Sequence, residues 1–290
     1  MPLSSVYNPK QLCLVLLLIA FAGVLVMIYV IRPDVQFVTT AYNRSLELLN
    51  EPESSRSEHF LQQRNLLSGT LNHMMMLYGQ QSCEMLKLKQ MDAHVSEHGG
   101  WCAEASSPGS SSHKWDQRFS RALSKFFKGK SVGSFGDGPG AYKRHLDTLK
   151  EVKSYTAYDG APYCELVTNG TVIFLDLTVP QYNLPIFDWV ISVEVGEHIP
   201  AKFEDIYLDN LARHAREGIV LSWAVPGQGG LSHVNTKPLE AVKDQMKKRG
   251  FLINLSASTP LREAATFYWL KANVYVYNRL SLSSLVEEDA

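Results

Sequence analysis

The sequence predicts an α/β chain, a doubly wound and mostly parallel sheet with an antiparallel last strand, preceded by a transmembrane helix and a helical N-terminal region. Three observations predict it. From about Lys114 onward, short apolar strand patterns alternate with amphipathic helical ones, an order that covers both faces of a parallel sheet with helices. A glycine-rich stretch, Val132 to Gly140, stands between one such strand and one such helix. Ahead of all this, Leu12 to Ile31 is apolar and uncharged. The 290 residues, 45% apolar and 20% charged, suit one packed domain with appendages. A net charge of −1 leaves no excess of Lys and Arg to grip phosphates, so no nucleic-acid partner is expected.

The run from Leu12 to Ile31 has the roughly 20 residues a helix needs to cross a bilayer. Lys10 precedes it, Arg32 and Asp34 follow, and Tyr29 stands where an interfacial aromatic belongs. Ala20-Phe21-Ala22 also fits a signal-peptide cleavage site, but Val24 to Ile31 continues apolar past it. The boundaries read as a tail over 1–10, an anchor over 11–31, a helical stalk or cap and linker over 32–113, the main domain over 114–280 and an acidic tail over 281–290. Flanking charges barely choose an orientation. Sequons at Asn43, Asn169 and Asn254 tilt it toward a type II protein with its domain in the ER or Golgi lumen; a cytosol-facing domain is the alternative. In a lumen, Cys83 and Cys102 could close a disulfide across a short segment, leaving Cys164 unpaired and Cys13 in the anchor. The other reading is four reduced, buried thiols.

Within the stalk, Val35 to about Gln90 has apolar residues at helical spacing, with a break over Asn50 to Ser57 around Pro52. Met74 to Met76 reads as packing filler. Ala105 to Ser112 is Ser-, Pro- and Gly-rich, hence a loop. In the main domain, Ser131–Phe135, Val152–Tyr158, Thr171–Leu175, Trp189–Val193 and Ile219–Trp223 read as buried strands. Phe119–Phe127, Ala141–Leu149, Phe203–Ala215 and Pro238–Lys248 read as helices. Leu252–Leu255 and Ala272–Tyr277 supply two late strands.

Gly136, Gly138 and Gly140 permit a tight turn and bring backbone against a ligand, with a helix N-terminus beyond. Their guest is a nucleoside or nucleotide cofactor. Gly136-x-Gly138-x-x-Ala141 fits a dinucleotide loop, and Gly136-x-Gly138-x-Gly140 fits a methyltransferase loop, so spacing alone does not choose. Asp159, at the end of the next strand, suits the ribose of either.

Downstream residues point one way. Phe187 to Pro200, with its Glu194-x-x-Glu197-His198-x-Pro200 ending, resembles the fourth-strand motif of class I S-adenosylmethionine-dependent methyltransferases, closest to those acting on quinone precursors and other small molecules. Asp176-Leu177 is similar to that family's third-strand segment, Gly218 to Trp223 to its fifth strand, and Phe251 to Tyr277 to its closing antiparallel pair. The resemblance spans about Lys114 to Arg279 and implies a Rossmann-like fold with S-adenosyl-L-methionine as cofactor. It further implies that Gly136, Gly138 and Gly140 line the amino-acid portion, that Asp159 binds the ribose, that Asp176 and Leu177 take the adenine, and that Glu194 faces the methyl-donor pocket. The family usually has an acidic residue two places before the first glycine, where this chain has Ser134. The polar contact then falls to Asp137, or the domain is a catalytically inactive relative. A nicotinamide-dependent oxidoreductase is the remaining alternative.

Methyl transfer needs an acceptor aligned with the donor, and a hydroxyl acceptor also needs a base. His198, beside Glu197, is the first candidate for that base; capping the next helix is its structural alternative. The loop Gly227 to Asn235 follows the fifth strand on the ligand-binding edge, so Gln228, His233 and Asn235 are expected to contact substrate, unless the loop is merely a connection. Trp223 either walls the methyl pocket or packs in the core. No metal is expected, because the spacing of Glu197, His198 and His233 matches no familiar zinc signature. The acceptor, a small molecule or a glycan or protein of the secretory pathway, is not specified.

Overall fold

The computed structural model describes residues 53–89, 98–102 and 113–280. The predicted anchor and the sequon at Asn43 lie outside them; among the described residues no helix is long and apolar enough to cross a membrane. The chain divides into two compact units, residues 1–63 and 64–290. Of the first, only residues 53–63 are described, and they are helical. The second carries the sheet and the cavity at its edge.

Helix α1 (Glu53–Leu88) begins inside the predicted break, so Glu53 to Ser57 are helical where an interruption was expected. In the second unit it lies against the sheet domain through polar side chains. Ser68 Oγ donates to Pro180 O at 3.0 Å and accepts from Tyr182 N at 2.9 Å. Asn72 donates to Phe174 O at 3.1 Å and accepts from Asp176 N at 2.9 Å. Leu66, Leu67 and Met74 are exposed, the last of them against expectation, while Met75 and Met76 pack against the core. Apolar periodicity thus predicted the helix correctly but not the face that docks.

The sheet elements follow in order: α2 (Gln117–Phe126), β1 (Ser131–Phe135), α3 (Ala141–Leu149), β2 (Ser154–Asp159), α4 (Cys164–Val167), β3 (Val172–Phe174), β4 (Phe187–Ser192), α5 (Glu204–His214), β5 (Ala215–Leu221), α6 (Leu239–Lys248), β6 (Phe251–Asn254), α7 (Leu255–Ala264), α8 (Tyr268–Asn273) and β7 (Tyr275–Arg279). They form one seven-stranded sheet in the order β3-β2-β1-β4-β5-β7-β6. The first five strands are parallel, and β7 runs antiparallel to both β5 and β6. This is an α/β Rossmann-like mixed sheet with antiparallel C-terminal strands, as the sequence predicts.

Side chains alternate across each strand and so feed two cores. In β5, Val220 faces the core beneath α2, α3, α7 and α8, which holds Phe119, Leu123, Leu146 and Leu261. Ile219 and Leu221 face the opposite core with Tyr207, Leu211 and Met246 from α5 and α6. Each such large side chain contributes about 1.5–3 kcal/mol on burial.

Some boundaries move. Ala272 and Asn273, predicted as strand, end α8, and β7 starts at Tyr275. Helix α7 was not foreseen. Its N-terminus is capped by Asn254, whose Oδ1 accepts from Ala257 N at 2.9 Å, while Pro260 inside it reads as a break.

Asp116 caps α2 by accepting from Arg118 N and Phe119 N at 3.0 and 3.1 Å. Its other oxygen accepts from Thr266 Oγ1 at 2.8 Å and Phe267 N at 3.1 Å, tying α2 to the segment before α8. Burial pushes the pKa of this carboxyl up, but the bonds from Phe119, Thr266 and Phe267 outweigh that and hold it below the usual carboxylate value.

Cys83 of α1 and Cys102 form a disulfide, and Cys164 is a buried thiol. The bridge spans 19 positions, and closing such a loop contributes about 3 kcal/mol. Reduction is expected to lower the melting temperature by about 6–12 °C, measured by calorimetry with and without reductant. A Cys102→Ser variant should melt at the lower temperature and ignore the reductant.

Candidate functional site

Parallel strands deliver their C-terminal ends to one edge, and the loops there gather around a common space. Here that space is a cavity of about 600 Å³, within the usual range for a cofactor-sized ligand. Gly136, Asp137 and Gly138 after β1, Asp159 at the end of β2, Asp176 and Leu177 after β3, and Glu194 and His198 after β4 all line it.

The glycine loop is shaped by backbone sterics. Gly136 has φ +94°, and a Cβ there would lie 2.3 Å from Val195 Cγ2, so any side chain would force the loop off its path. Its N–H and that of Asp137 both donate to Tyr158 O, at 2.8 and 2.9 Å. Gly140, also at positive φ, leads into α3 with no side-chain cap on that helix. Asp159 ties the loop to the next strand, its Oδ2 accepting from Gly138 N at 2.7 Å and its Oδ1 from Ala161 N at 2.8 Å.

Ser134 does not leave the site without a carboxylate. Its Oγ donates to Asp137 Oδ1 at 2.7 Å, and Tyr155 donates to the same oxygen at 2.8 Å. Burial dominates at Asp137 and pushes its carboxyl up to about 6 against these bonds. Asp176 accepts from the N–H and hydroxyl of Thr178 at 2.7 and 2.6 Å, and burial raises it. Glu194 has φ +59°, unusual for a residue with a side chain. Ser222 Oγ receives its N–H and donates to its Oε1, both at 2.7 Å. Burial raises Glu194 and Asp159 as well. The floor therefore carries four carboxyl groups, Asp137, Asp159 and Asp176 buried and Glu194 half-buried, an environment that favours a cationic ligand and opposes an anionic one.

Sequence reasoning missed the aromatic wall. Trp101, His113, Trp115, Tyr142 and Phe267 to Trp269 line the cavity from four separate segments. Trp101 packs edge-on to His113 and His198, with centroids 5.0 and 6.1 Å away, and it sits beside the Cys83–Cys102 bridge.

Other expected site residues fall elsewhere. Gln228 and His233 line the cavity. Trp223 and Asn235 do not; both are buried behind it. Trp223 Nε1 donates to Asn235 O at 2.6 Å, and Asn235 Nδ2 donates to Glu204 Oε2 at 3.0 Å, so they anchor a loop and do not wall this cavity. Glu197 and His198 are not hydrogen-bonded to each other: among the described residues neither carboxylate oxygen of Glu197 has a hydrogen-bond partner of good geometry, and His198 Nδ1 faces Ser232 O at 3.2 Å. Burial, then His233, pulls the His198 imidazole down to about 4, too weak for an effective base near neutrality. Burial, then Glu194, pushes Glu197 up to about 8.

No family model matches the chain, and no curated protein does. Among solved structures, it is similar to magnesium protoporphyrin IX methyltransferase from Synechocystis PCC 6803, at 14% identity and TM-score 0.43 over 57% of this chain and 83% of that one. It is also similar to the N-methyltransferase NodS from Bradyrhizobium japonicum WM9, at 14% and 0.42 over 57% and 87%. The sugar N-methyltransferase KedS8 from Streptoalloteichus sp ATCC 53650 matches at 12% and 0.43 over 58% and 86%. Chemistry has to be argued from this chain's own residues.

Asp137 supplies a test of the buried floor. Its carboxyl is raised on folding, so the stability it contributes is present below about pH 4 and lost as pH rises through about 6. Asp137→Asn should therefore melt progressively higher than wild type between pH 4 and 7, with a constant gap above. Thermal melts across that range check it; a gap independent of pH would contradict the burial.

Proposed function

We propose that the chain is an S-adenosyl-L-methionine-dependent methyltransferase acting on a small molecule, or on a glycan or protein of the secretory pathway. The observation that carries this is the acid-lined glycine loop. A dinucleotide brings a pyrophosphate and needs free N–H groups there. In this loop the Gly138 N–H is already taken by Asp159, and Asp137 lies beneath. S-adenosylmethionine instead brings an ammonium and a sulfonium, charges that buried carboxylates favour.

When bound, that cofactor supplies a methyl group already activated for attack. The chain's residues bind and orient. Gly136 and Gly138 expose backbone to the amino-acid portion, whereas Gly140, expected beside them, packs against Val172 outside the cavity lining; Asp137 meets the ammonium, Asp159 accepts from ribose hydroxyls, and Asp176 with Leu177 takes the adenine. Glu194 faces the sulfonium end. The aromatic wall, with Gln228, holds the acceptor and keeps water out, so that positioning provides the larger share of the acceleration.

The same reading places the chain on a membrane through residues 12–31, with the domain in the ER or Golgi lumen. The Cys83–Cys102 bridge supports an oxidising compartment. Asn169 is exposed at a turn and suits glycosylation, whereas Asn254 is engaged as a helix cap and by Asn278.

Calorimetric titration of the full chain with S-adenosylhomocysteine and with NAD tests the cofactor. Only the first is expected to bind, and Gly136→Val is expected to weaken it at least about tenfold, roughly 1.4 kcal/mol. Binding of NAD alone would replace this reading with an oxidoreductase; binding of neither would leave a non-catalytic domain.

A further inference from the structure

At one corner of the cavity the short turn Gly196–His198 meets the loop after β5. Glu197, His198 and His233 each offer one ligand-type atom there, and those atoms lie within 4.8 Å of one another. Spacing along the chain predicted no metal; folding brings the three together. Val234 N and Asn235 N both donate to Glu197 O, at 2.9 and 3.0 Å, which straps the His233 loop to the backbone of Glu197. Trp223, through Asn235 O, fastens the same loop.

Two features set this corner apart from an ordinary polar contact. Glu197 is fully buried, and among the described residues neither carboxylate oxygen has a hydrogen-bond partner of good geometry, although the backbone N–H groups of Glu197 and Ala224 lie close enough to favour its charge. A buried carboxyl left without a well-formed hydrogen bond costs on the order of 1–3 kcal/mol, a cost that a cation or donor at those oxygens would offset. Each histidine, in turn, is oriented by a backbone carbonyl: His198 Nδ1 by Ser232 O and His233 Nδ1 by Gln228 O, both at 3.2 Å. A carbonyl only accepts, so each Nδ1 carries the proton and each Nε2 keeps its lone pair. Metal-binding imidazoles are fixed in this way by their outer shell.

We propose that Glu197, His198 and His233 bind one divalent transition-metal ion of zinc type. Two imidazoles and a carboxylate suit zinc, manganese, iron or cobalt better than magnesium or calcium. Ligand atoms sit about 2.0–2.2 Å from such an ion, so the three side chains draw in on binding. His198 and His233 line the cavity and Glu197 lies behind them; the remaining coordination positions therefore face the cavity. An oxygen of the methyl acceptor is the group suited to fill one, a clause that rests on the methyltransferase reading; the ion site itself does not.

The test strips the purified full chain with a chelator, dialyses it against zinc, and measures bound metal by mass spectrometry, with cobalt substitution as an absorption readout. The expected result is one zinc per chain and a chelator-sensitive cobalt spectrum. His233→Ala, at a half-buried loop position, should lower affinity by more than the roughly 10–100-fold that losing an outer-shell partner costs, and Glu197→Gln should do the same if it folds. Wild type with far less than one zinc, or His233→Ala binding as tightly as wild type, overturns the site. S-adenosylhomocysteine is titrated into the same samples. Cofactor binding without metal binding sinks the ion site alone, and metal binding without cofactor binding sinks the methyltransferase reading alone.

Discussion

The Asp159 carboxylate is the contact around which the cavity is organised. It accepts from the Gly138 and Ala161 N–H groups, joining the glycine loop of β1 to the loop of β2 where the two parallel strands end. A carboxylate in that position does two jobs. It satisfies a buried backbone donor that would otherwise be orphaned, and it converts a loop suited to anions into one suited to cations. A carboxylate also has more lone pairs than these two bonds use, so ribose hydroxyls can be added without dismantling the loop. Asp137, fed by Ser134 and Tyr155, deepens the same negative floor.

Much of this was legible in the residues because parallel topology does the assembling. Once strands and helices alternate, the loops after β1 to β5 must emerge at one edge, so Gly136, Asp159, Asp176 and Glu194 converge whatever the details. Substituting Ser134 for an acid looked like a defect from sequence alone. In the fold it is a hydrogen-bond donor to the carboxylate three residues on.

What stayed hidden depends on side-chain direction and on distant segments. Trp223 and Asn235 sit close in sequence to the cavity edge, yet alternation at the end of β5 and a hydrogen bond between them turn both inward. The aromatic wall draws on residues near 101, 115 and 267, held by a disulfide and by the Asp116 clamp; no local pattern announces such a wall. The Glu197–His198 pair reads as an acid–base couple along the chain, but the turn at Gly196–His198 buries the carboxylate away from the imidazole's occupied nitrogen.

Amide hydrogen exchange with and without saturating S-adenosylhomocysteine addresses the cavity most directly, because it reports which backbone groups a ligand covers. The account predicts slowed exchange in the Gly136–Gly140 loop and around Asp176–Thr178, with the exposed face of α1 unchanged. Unaltered exchange in those loops, or the same protection produced by NAD instead, would contradict it.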